Sequence, residues 1–166
     1  MTKAAFTELI KEHKALIYKV CRSYCAVESE RADLEQEILY QLWRSRKRFD
    51  GRVKVTTWLY KVALNTAIRF YHNQRKRTKQ KEDFKKSLIQ LKAEENDPRH
   101  QQLDQLYQMV AQLKNLDRAL ILLYLDGNKQ SEVAEILGIT PSNVATKIGR
   151  IKKKFQQQAK LENYES

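Results

Sequence analysis

The side chains in this sequence that could do chemistry are mainly cations. Residues 44–79 contain twelve lysines and arginines and a single acid, Asp50, so this stretch carries most of the formal net charge of +12. Such a concentration of positive charge is typical of a surface that contacts the phosphates of a nucleic acid. The alternative is a solvated basic face that only keeps the protein soluble. The clustering within one short stretch favours nucleic-acid binding.

Few residues form patterns that support catalysis. His13, His72 and His100 lie outside any metalloprotease motif, and the sequence has no glycine-rich phosphate-binding loop and no nucleophile-elbow motif. Cys21 and Cys25 are four positions apart, unlike the C-x-x-C of zinc and redox sites. A metal site shared with His13 is one interpretation of these cysteines, and buried free thiols are the one that we expect. We therefore expect no enzymatic activity, no cofactor and no metal.

Length and composition limit the class of protein. The chain has 166 residues, of which 42% are hydrophobic and 31% charged, which fits one or two small folded domains. Only four glycines and two prolines occur, which indicates helices joined by short turns. The N-terminal segment lacks the apolar core of a signal peptide, and no stretch has the length of a membrane span. We expect an all-α, cytoplasmic protein without membrane insertion.

Hydrophobic periodicity predicts two small helical domains. The first, residues 1–80, should contain a helix over about 5–24, a second helix with an apolar stripe, and a third helix that Thr56 or Thr57 caps. The polar, charge-mixed segment 81–103 should be a linker. A second domain should occupy residues 104–166.

The second domain contains the pattern of a helix-turn-helix. Small Ala134 allows two helices to cross closely, Gly138 falls where the tight turn needs a positive φ, and Val144 packs the second helix onto the first. Thr140 should cap the second helix, with Pro141 in its first turn. A generic two-helix corner is the alternative. The matching offsets and the basic segment that follows favour a DNA-binding motif.

Three blocks of this sequence resemble the sigma factors of bacterial RNA polymerase, in particular the small extracytoplasmic-function group that keeps sigma regions 2 and 4. Residues 33–43 (DLEQEILYQLW) are similar to the family's D-L-x-Q-E helix. Residues 49–51 (FDG) and 57–67 (TWLYKVALNTA) are similar to its F-x-G and T-W-L-x-x-I-A-x-N segments. Residues 125–127 (LDG) and the helix-turn-helix match its region 4. The order and spacing of the blocks, over about residues 5–158, make the resemblance specific.

The resemblance implies three partners, which are core RNA polymerase, promoter DNA and an anti-sigma factor. Docking on the polymerase clamp is implied for Asp33, Gln36 and Glu37. Contact with the −10 element is implied for Lys61, Asn65, Arg69, Arg75, Lys76 and Arg77. Contact with the −35 element is implied for Ser142, Asn143, Thr146, Lys147 and Arg150. Among these, Asn65 matches the family position beside the base that is flipped out of the stack.

Some roles stay open at this point. The acidic face of the second helix could serve only helix capping and ion pairing in solvent, although such a face in a basic protein suits a basic partner. Trp58 is expected in the core, and Phe49 is undecided between core and DNA. Ala145 and Gly149 depart from residue types common in the family, so the −35 sequence cannot be taken from relatives.

Two other functions are consistent with the pattern. A stand-alone helix-turn-helix regulator would use residues 1–80 to dimerise or to sense a ligand, and it would bind a palindromic site without polymerase. An RNA-binding adaptor would show no preference for duplex DNA. The regulator leaves the acidic helix and the basic loop without a function, so we expect a sigma factor that binds polymerase and directs promoter-specific initiation.

Overall fold

The computed structural model describes residues 1–77 and 98–165 of the chain. These residues form α-helices joined by short turns, with no β-strand among them, as the composition predicted. They belong to two compact units, Met1–Gln108 and Met109–Ser166. Within the described ranges, no helix combines the length and apolarity needed to cross a membrane.

The first unit is built mainly from four helices, α1 (Lys3–Glu12), α2 (Lys14–Tyr24), α3 (Glu28–Ser45) and α4 (Val55–Arg77). A short 3₁₀ turn, Arg46–Arg48, follows α3. The core lies where α2, α3 and α4 pack on one another. Its fully buried side chains recur at helical spacing on each helix, which is the reason for the apolar stripes in the sequence. They include Ile17, Val20, Leu34, Ile38, Leu42, Leu59, Ala63 and Ala67.

The prediction of one continuous helix over residues 5–24 is wrong, because the helix breaks at His13. The backbone of His13 has φ −109° and ψ 18°, outside the helical region. No residue of α1 is buried, whereas α2 carries a buried stripe. Phe6 of α1 contacts the edge of Trp43, with ring centroids 5.2 Å apart, while the stripe of α2 enters the core.

The predicted start of the third helix is also wrong, by two or three residues. The helix α4 begins at Val55, and the N–H of Trp58 already donates to the carbonyl oxygen of Lys54 at 3.1 Å. Thr56 and Thr57 therefore lie inside the first turn, where Thr57 is buried. The buried Thr57 shows that packing against the core, rather than a threonine cap, sets this helix end.

A fifth helix, α5 (Pro98–Ala111), starts inside the segment predicted as a linker. Residues 78–97, which make up most of the predicted linker, lie outside the described residues. Proline suits the first position of a helix because that position has no intrahelical partner for an N–H. The domain limits 1–80, 81–103 and 104–166 therefore stay a prediction.

The second unit contains α6 (Asn115–Leu125), α7 (Gln130–Leu137) and α8 (Pro141–Glu165). The helix-turn-helix prediction is confirmed in its local geometry. Gly138 has φ 68° and ψ 34°, and the N–H of Ile139 donates to the carbonyl oxygen of Ala134 at 3.1 Å. Thr140 Oγ1 accepts the N–H of Asn143 at 3.1 Å, which caps α8.

A buried arginine joins the helices of this unit. Arg118 is only 2% exposed, and its Nη2 donates to the carbonyl oxygens of Ala111 at 2.6 Å and Leu113 at 3.2 Å. These carbonyls belong to the C-terminal end of α5 and the turn after it, where a cation is favoured by the helix dipole. Arg118 thereby fixes the turn that leads into α6.

Candidate protein and nucleic-acid interfaces

The helix α3 presents an acidic outer face opposite its buried stripe. Asp33 and Gln36 are exposed, and Glu37 is half-buried. Oε1 of Glu37 accepts a hydrogen bond from Nε2 of Gln41, one turn later, at 2.8 Å. Tyr40 continues this face and is 54% exposed. The structure therefore places the three predicted docking residues on one accessible surface.

The N-terminal turn of α3 holds a further acid. Burial of Glu30 disfavours its charged form and raises its pKa, and the nearby negative charge of Asp33 raises it further. Glu28 and Glu30 lie in the first turn of the helix, where the dipole favours negative charge, and Asp33 follows one turn later. This end of α3 therefore concentrates negative charge in a basic chain.

The outer face of α4 carries the residues predicted to contact the −10 element. Lys61, Asn65 and Arg69 are exposed and recur every four residues, so they lie on successive turns of one side. His72 extends this side and is exposed as well. The core residues of α4 occupy its other side, which leaves this row available for a ligand.

Three predicted −10 residues follow at the end of α4. The backbone of Arg75, Lys76 and Arg77 is helical. Their side chains lie outside the described residues, so their proposed contact with DNA stays a prediction.

The basic loop before α4 is organised by aromatic rings. Trp58 is 8% exposed, which confirms its prediction as a core residue. Phe49, which the sequence left undecided, is half-buried with its ring 5.0 Å from that of Trp58 at an interplanar angle of 31°. Asp50 pairs with Arg52, with Oδ2 3.0 Å from Nε. Phe49 therefore anchors the start of the loop to the core.

A cation stacked on an aromatic ring at the end of α3 was missed by sequence reasoning. The guanidinium carbon of Arg46 lies 3.3 Å from the ring centroid of Trp43, and its Nη1 donates to the Trp43 carbonyl oxygen at 2.6 Å. The spacing of three residues was visible in the sequence, and the two groups meet where α3 passes into the 3₁₀ turn.

The helix α8 exposes most of the residues predicted to contact the −35 element. Its buried side consists of Val144, Ile148 and Ile151, which pack into the helix-turn-helix core. The exposed side includes Ser142, Asn143, Thr146 and Arg150. Oγ1 of Thr146 donates to the carbonyl oxygen of Ser142 at 3.0 Å, so its rotamer is fixed while its methyl group and oxygen stay accessible.

Two lysines of α8 are held by side chains of α6. Nζ of Lys147 lies 3.2 Å from Oδ1 of Asp117, and the Lys147 side chain is only 24% exposed. Nζ of Lys152 lies 4.6 Å from the centre of the Tyr124 ring. The structure thus separates Lys147 from the other predicted −35 residues. No local pattern in the sequence indicated its partner.

Nothing in the described ranges resembles a metal centre, since no three metal-ligating side chains come together there. Both cysteines are buried, as the sequence predicted. Burial raises the pKa of the Cys21 thiol from 9.0 to about 12, and the negative charge of Glu35 adds to this shift. A thiol with so high a pKa stays protonated and unreactive at neutral pH.

Sequence models of the Sigma-70 family match both halves of the chain. The sequence model of Sigma-70 region 2 matches residues 9–77. The model of Sigma-70, region 4, matches residues 103–155.

Individual relatives extend over nearly the full length. The RNA polymerase sigma factor SigV of Bacillus subtilis is 26% identical over 163 residues, covering 98% of this chain and 95% of the relative. The ECF RNA polymerase sigma-E factor of Haemophilus influenzae is 24% identical over 165 residues, covering 93% and 87%.

Solved structures share the fold. CnrH, solved in complex with the cytosolic domain of CnrY, superposes with a TM-score of 0.71 at 20% identity, over 96% of this chain and 90% of that one. The sigma factor RpoE of Bartonella quintana, solved with the anti-sigma factor NepR, gives 0.69 at 16% identity, over 94% and 97%.

Proposed function

This chain belongs to the extracytoplasmic-function group of the sigma-70 family. From this membership we propose which of its surfaces bind polymerase, the −10 element and the −35 element. The protein is a sigma factor, which binds core RNA polymerase and directs promoter-specific transcription initiation. Sigma factors are initiation factors rather than enzymes. The protein acts in the cytoplasm, where the polymerase and the promoters are.

The outer face of α3 is the proposed polymerase-docking surface. Asp33 and Gln36 are exposed and Glu37 stands beside them, opposite a fully buried stripe. A basic partner surface would pair with these groups without any change in the core. The aromatic ring of Tyr40 adds apolar contact area to the same surface.

The outer face of α4 is the proposed −10 surface. The cations of Lys61 and Arg69 flank the amide of Asn65, so phosphate contacts can position a strand whose base edge the amide reads. Opening the duplex requires a base to leave the stack, which costs a few kcal/mol. Contacts to the unstacked base offset this cost. Arg75, Lys76 and Arg77 are proposed to extend the phosphate contacts.

The exposed side of α8 is the proposed −35 surface. Its members are Ser142, Asn143, Thr146 and Arg150. A recognition helix in the major groove contacts base edges through residues near its N-terminal end, and these side chains stand there. Lys147 is left out of this surface because its charge is paired with Asp117.

The observation that carries the proposal is the coincidence of sequence match and exposure. In α3, α4 and α8 alike, the described side chains that are proposed to bind are exposed or half-buried and lie away from a buried stripe, within the segments matched to regions 2 and 4. An anti-sigma factor is proposed as a further partner, because the similar RpoE was solved with one.

Transcription in a purified system tests the function. The chain is mixed with bacterial core RNA polymerase and a library of genomic promoter fragments, and the 5′ ends of the transcripts are sequenced, with core alone as the control. We expect defined start sites that share two upstream motifs. If no transcript depends on the chain and the chain does not co-elute with core polymerase from its source organism, the stand-alone regulator becomes the better explanation.

A further inference from the structure

Lys147 differs from the other residues predicted to read the −35 element, because a residue of another helix holds its charge. Its Nζ lies 3.2 Å from Oδ1 of Asp117, thirty positions earlier in the sequence. The two side chains are 24% and 28% exposed, so water screens this pair less than a pair on the open surface. The pair therefore links α8 to α6.

The position of Lys147 around the axis of α8 places it between the reading face and the core. At about 100° per residue, Ser142 and Thr146 lie about 40° apart, and Arg150 lies about 40° further on. Lys147 lies about 100° from Thr146 and about 40° from both Asn143 on one side and the buried Ile151 on the other. Its side chain thus leaves the helix at the edge of the domain core.

Asp117 explains why a cation is needed at that edge. It lies in the first turn of α6, where the helix dipole favours its negative charge. An unpaired carboxylate beside a DNA-binding face would repel the phosphates that approach it. The ammonium group of Lys147 neutralises this charge.

We propose that Asp117 and Lys147 are positioning residues, which fix α8 on α6, and that Lys147 does not read bases. Ser142, Asn143, Thr146 and Arg150 then determine the sequence preference at the −35 element. The assignment of base reading rests on the proposed function, whereas the positioning of α8 by the pair is independent of it.

The positioning part is tested by thermal unfolding of the full chain. The variants are Lys147→Met, Asp117→Asn and the double variant, with Lys153→Met as a matched lysine control on the exposed side of α8. Each single change at the pair should lower the Tm by about 2–4 °C, and the double variant should lose no more than the larger single effect. Lys153→Met should leave the Tm within about 1 °C. Additive losses at Asp117 and Lys147 would overturn the coupling.

The reading part is tested by transcription with core polymerase from a library with a randomised −35 element. Arg150→Ala should reduce the preference for one base over the others about tenfold at one position of the −35 element. Lys147→Met should lower the yield at all sequences alike and keep the wild-type preference. A changed preference in Lys147→Met contradicts the proposal. If the wild-type chain gives no transcript, the proposed function fails and base reading with it, while the unfolding experiment still decides the pairing.

Discussion

Asn65 has the proposed role that depends most on the chemistry of one side chain. It is exposed on α4 between Lys61 and Arg69, whose cations suit phosphate contacts. An amide offers both donors and an acceptor, so it can pair with a base edge in a way that a cation cannot. In the proposed −10 surface, Asn65 would therefore supply the specificity and its flanking cations the affinity.

Replacement of Asn65 by Ala should impair promoter opening and leave polymerase binding unchanged. The loss of the base-edge contact should reduce open-complex formation roughly tenfold, as for the loss of one specific base contact. The rate is measured by permanganate reactivity of the melted bases, and polymerase binding by co-elution. Asn73→Ala, an exposed asparagine on the same helix, is the matched control and should behave as the wild type. Equal opening rates in the two variants would refute the base-reading role.

Cys21 gives a prediction for the dependence of stability on pH. Its pKa of about 12 in the fold exceeds the 9.0 of an exposed thiol, so above pH 9 the unfolded chain releases a proton that the folded chain retains. The stabilising contribution is complete below pH 9 and decreases as the pH rises. Between pH 9 and 10 the free energy of unfolding should thus fall by about 1 kcal/mol more in the wild type than in Cys21→Ala.

Urea unfolding of both proteins at pH 8, 9 and 10 measures this difference, because the other titrating groups are common to both. Parallel pH profiles of the two proteins would show that Cys21 titrates normally in the fold.

Two glycines of the helix-turn-helix should respond to the same substitution with opposite signs. Gly138 has φ 68°, a conformation that costs an L-residue about 1–2 kcal/mol. Gly149 lies within α8, where no atom comes within 4 Å of an added Cβ. Gly138→Ala should therefore lower the free energy of unfolding by about 1 kcal/mol, and Gly149→Ala should raise it by about the same amount. Chemical denaturation of the full chain measures both. Changes of equal sign would contradict this account of the motif.

The docking face of α3 is tested by exchanging its side chains without touching its core. The double variant Gln36→Ala, Glu37→Lys should weaken association with core polymerase several-fold, because it removes a hydrogen-bonding amide and reverses one charge. The control Gln102→Ala, Glu12→Lys makes the same changes at exposed positions on α5 and α1. Fluorescence anisotropy of the labelled chain, titrated with polymerase, measures both affinities. If both variants bind with wild-type affinity, α3 is not the docking surface.

Local sequence rules predicted a helix end correctly where a residue at that end sets the turn or caps the helix. Gly138 and Thr140 set the turn of the helix-turn-helix, and both act within four residues of their partners. The break at His13 has no such signal, and the helix before it contacts Trp43, far along the chain, through Phe6. The start of α4 follows from packing.

The candidate sites also combine features that the sequence predicts with contacts that it does not. Most of the predicted residues whose side chains the structure describes are exposed, which follows from periodicity because they lie away from the apolar stripes of α3, α4 and α8. The pairing of Lys147 with Asp117 joins residues thirty positions apart, and no periodic pattern contains this information. Arg46 stacks on Trp43 at the 3₁₀ turn after α3, a contact that no sequence pattern predicted.

The distribution of charge over the whole chain indicates that affinity for DNA and specificity for a base sequence come from different parts of the protein. Residues 44–79 carry nearly all the excess positive charge, whereas α8 and the residues around it contribute a small excess. Phosphate contacts of this kind are independent of base sequence and weaken as salt is added. The two proposed base-reading surfaces are small and belong to different units. Each alone therefore discriminates weakly among sequences.

Free protein should consequently bind promoter and scrambled duplexes with affinities within about threefold of each other, and the affinity should fall steeply between 50 and 200 mM salt. Core polymerase holds both surfaces on one promoter, so the second contact becomes intramolecular and discrimination should rise by at least about 100-fold. Fluorescence anisotropy with labelled duplexes, with and without core polymerase, measures both ratios, and core alone is the control. Tight, sequence-specific binding by the free chain would instead identify a stand-alone helix-turn-helix regulator, because that class needs no polymerase to combine its contacts.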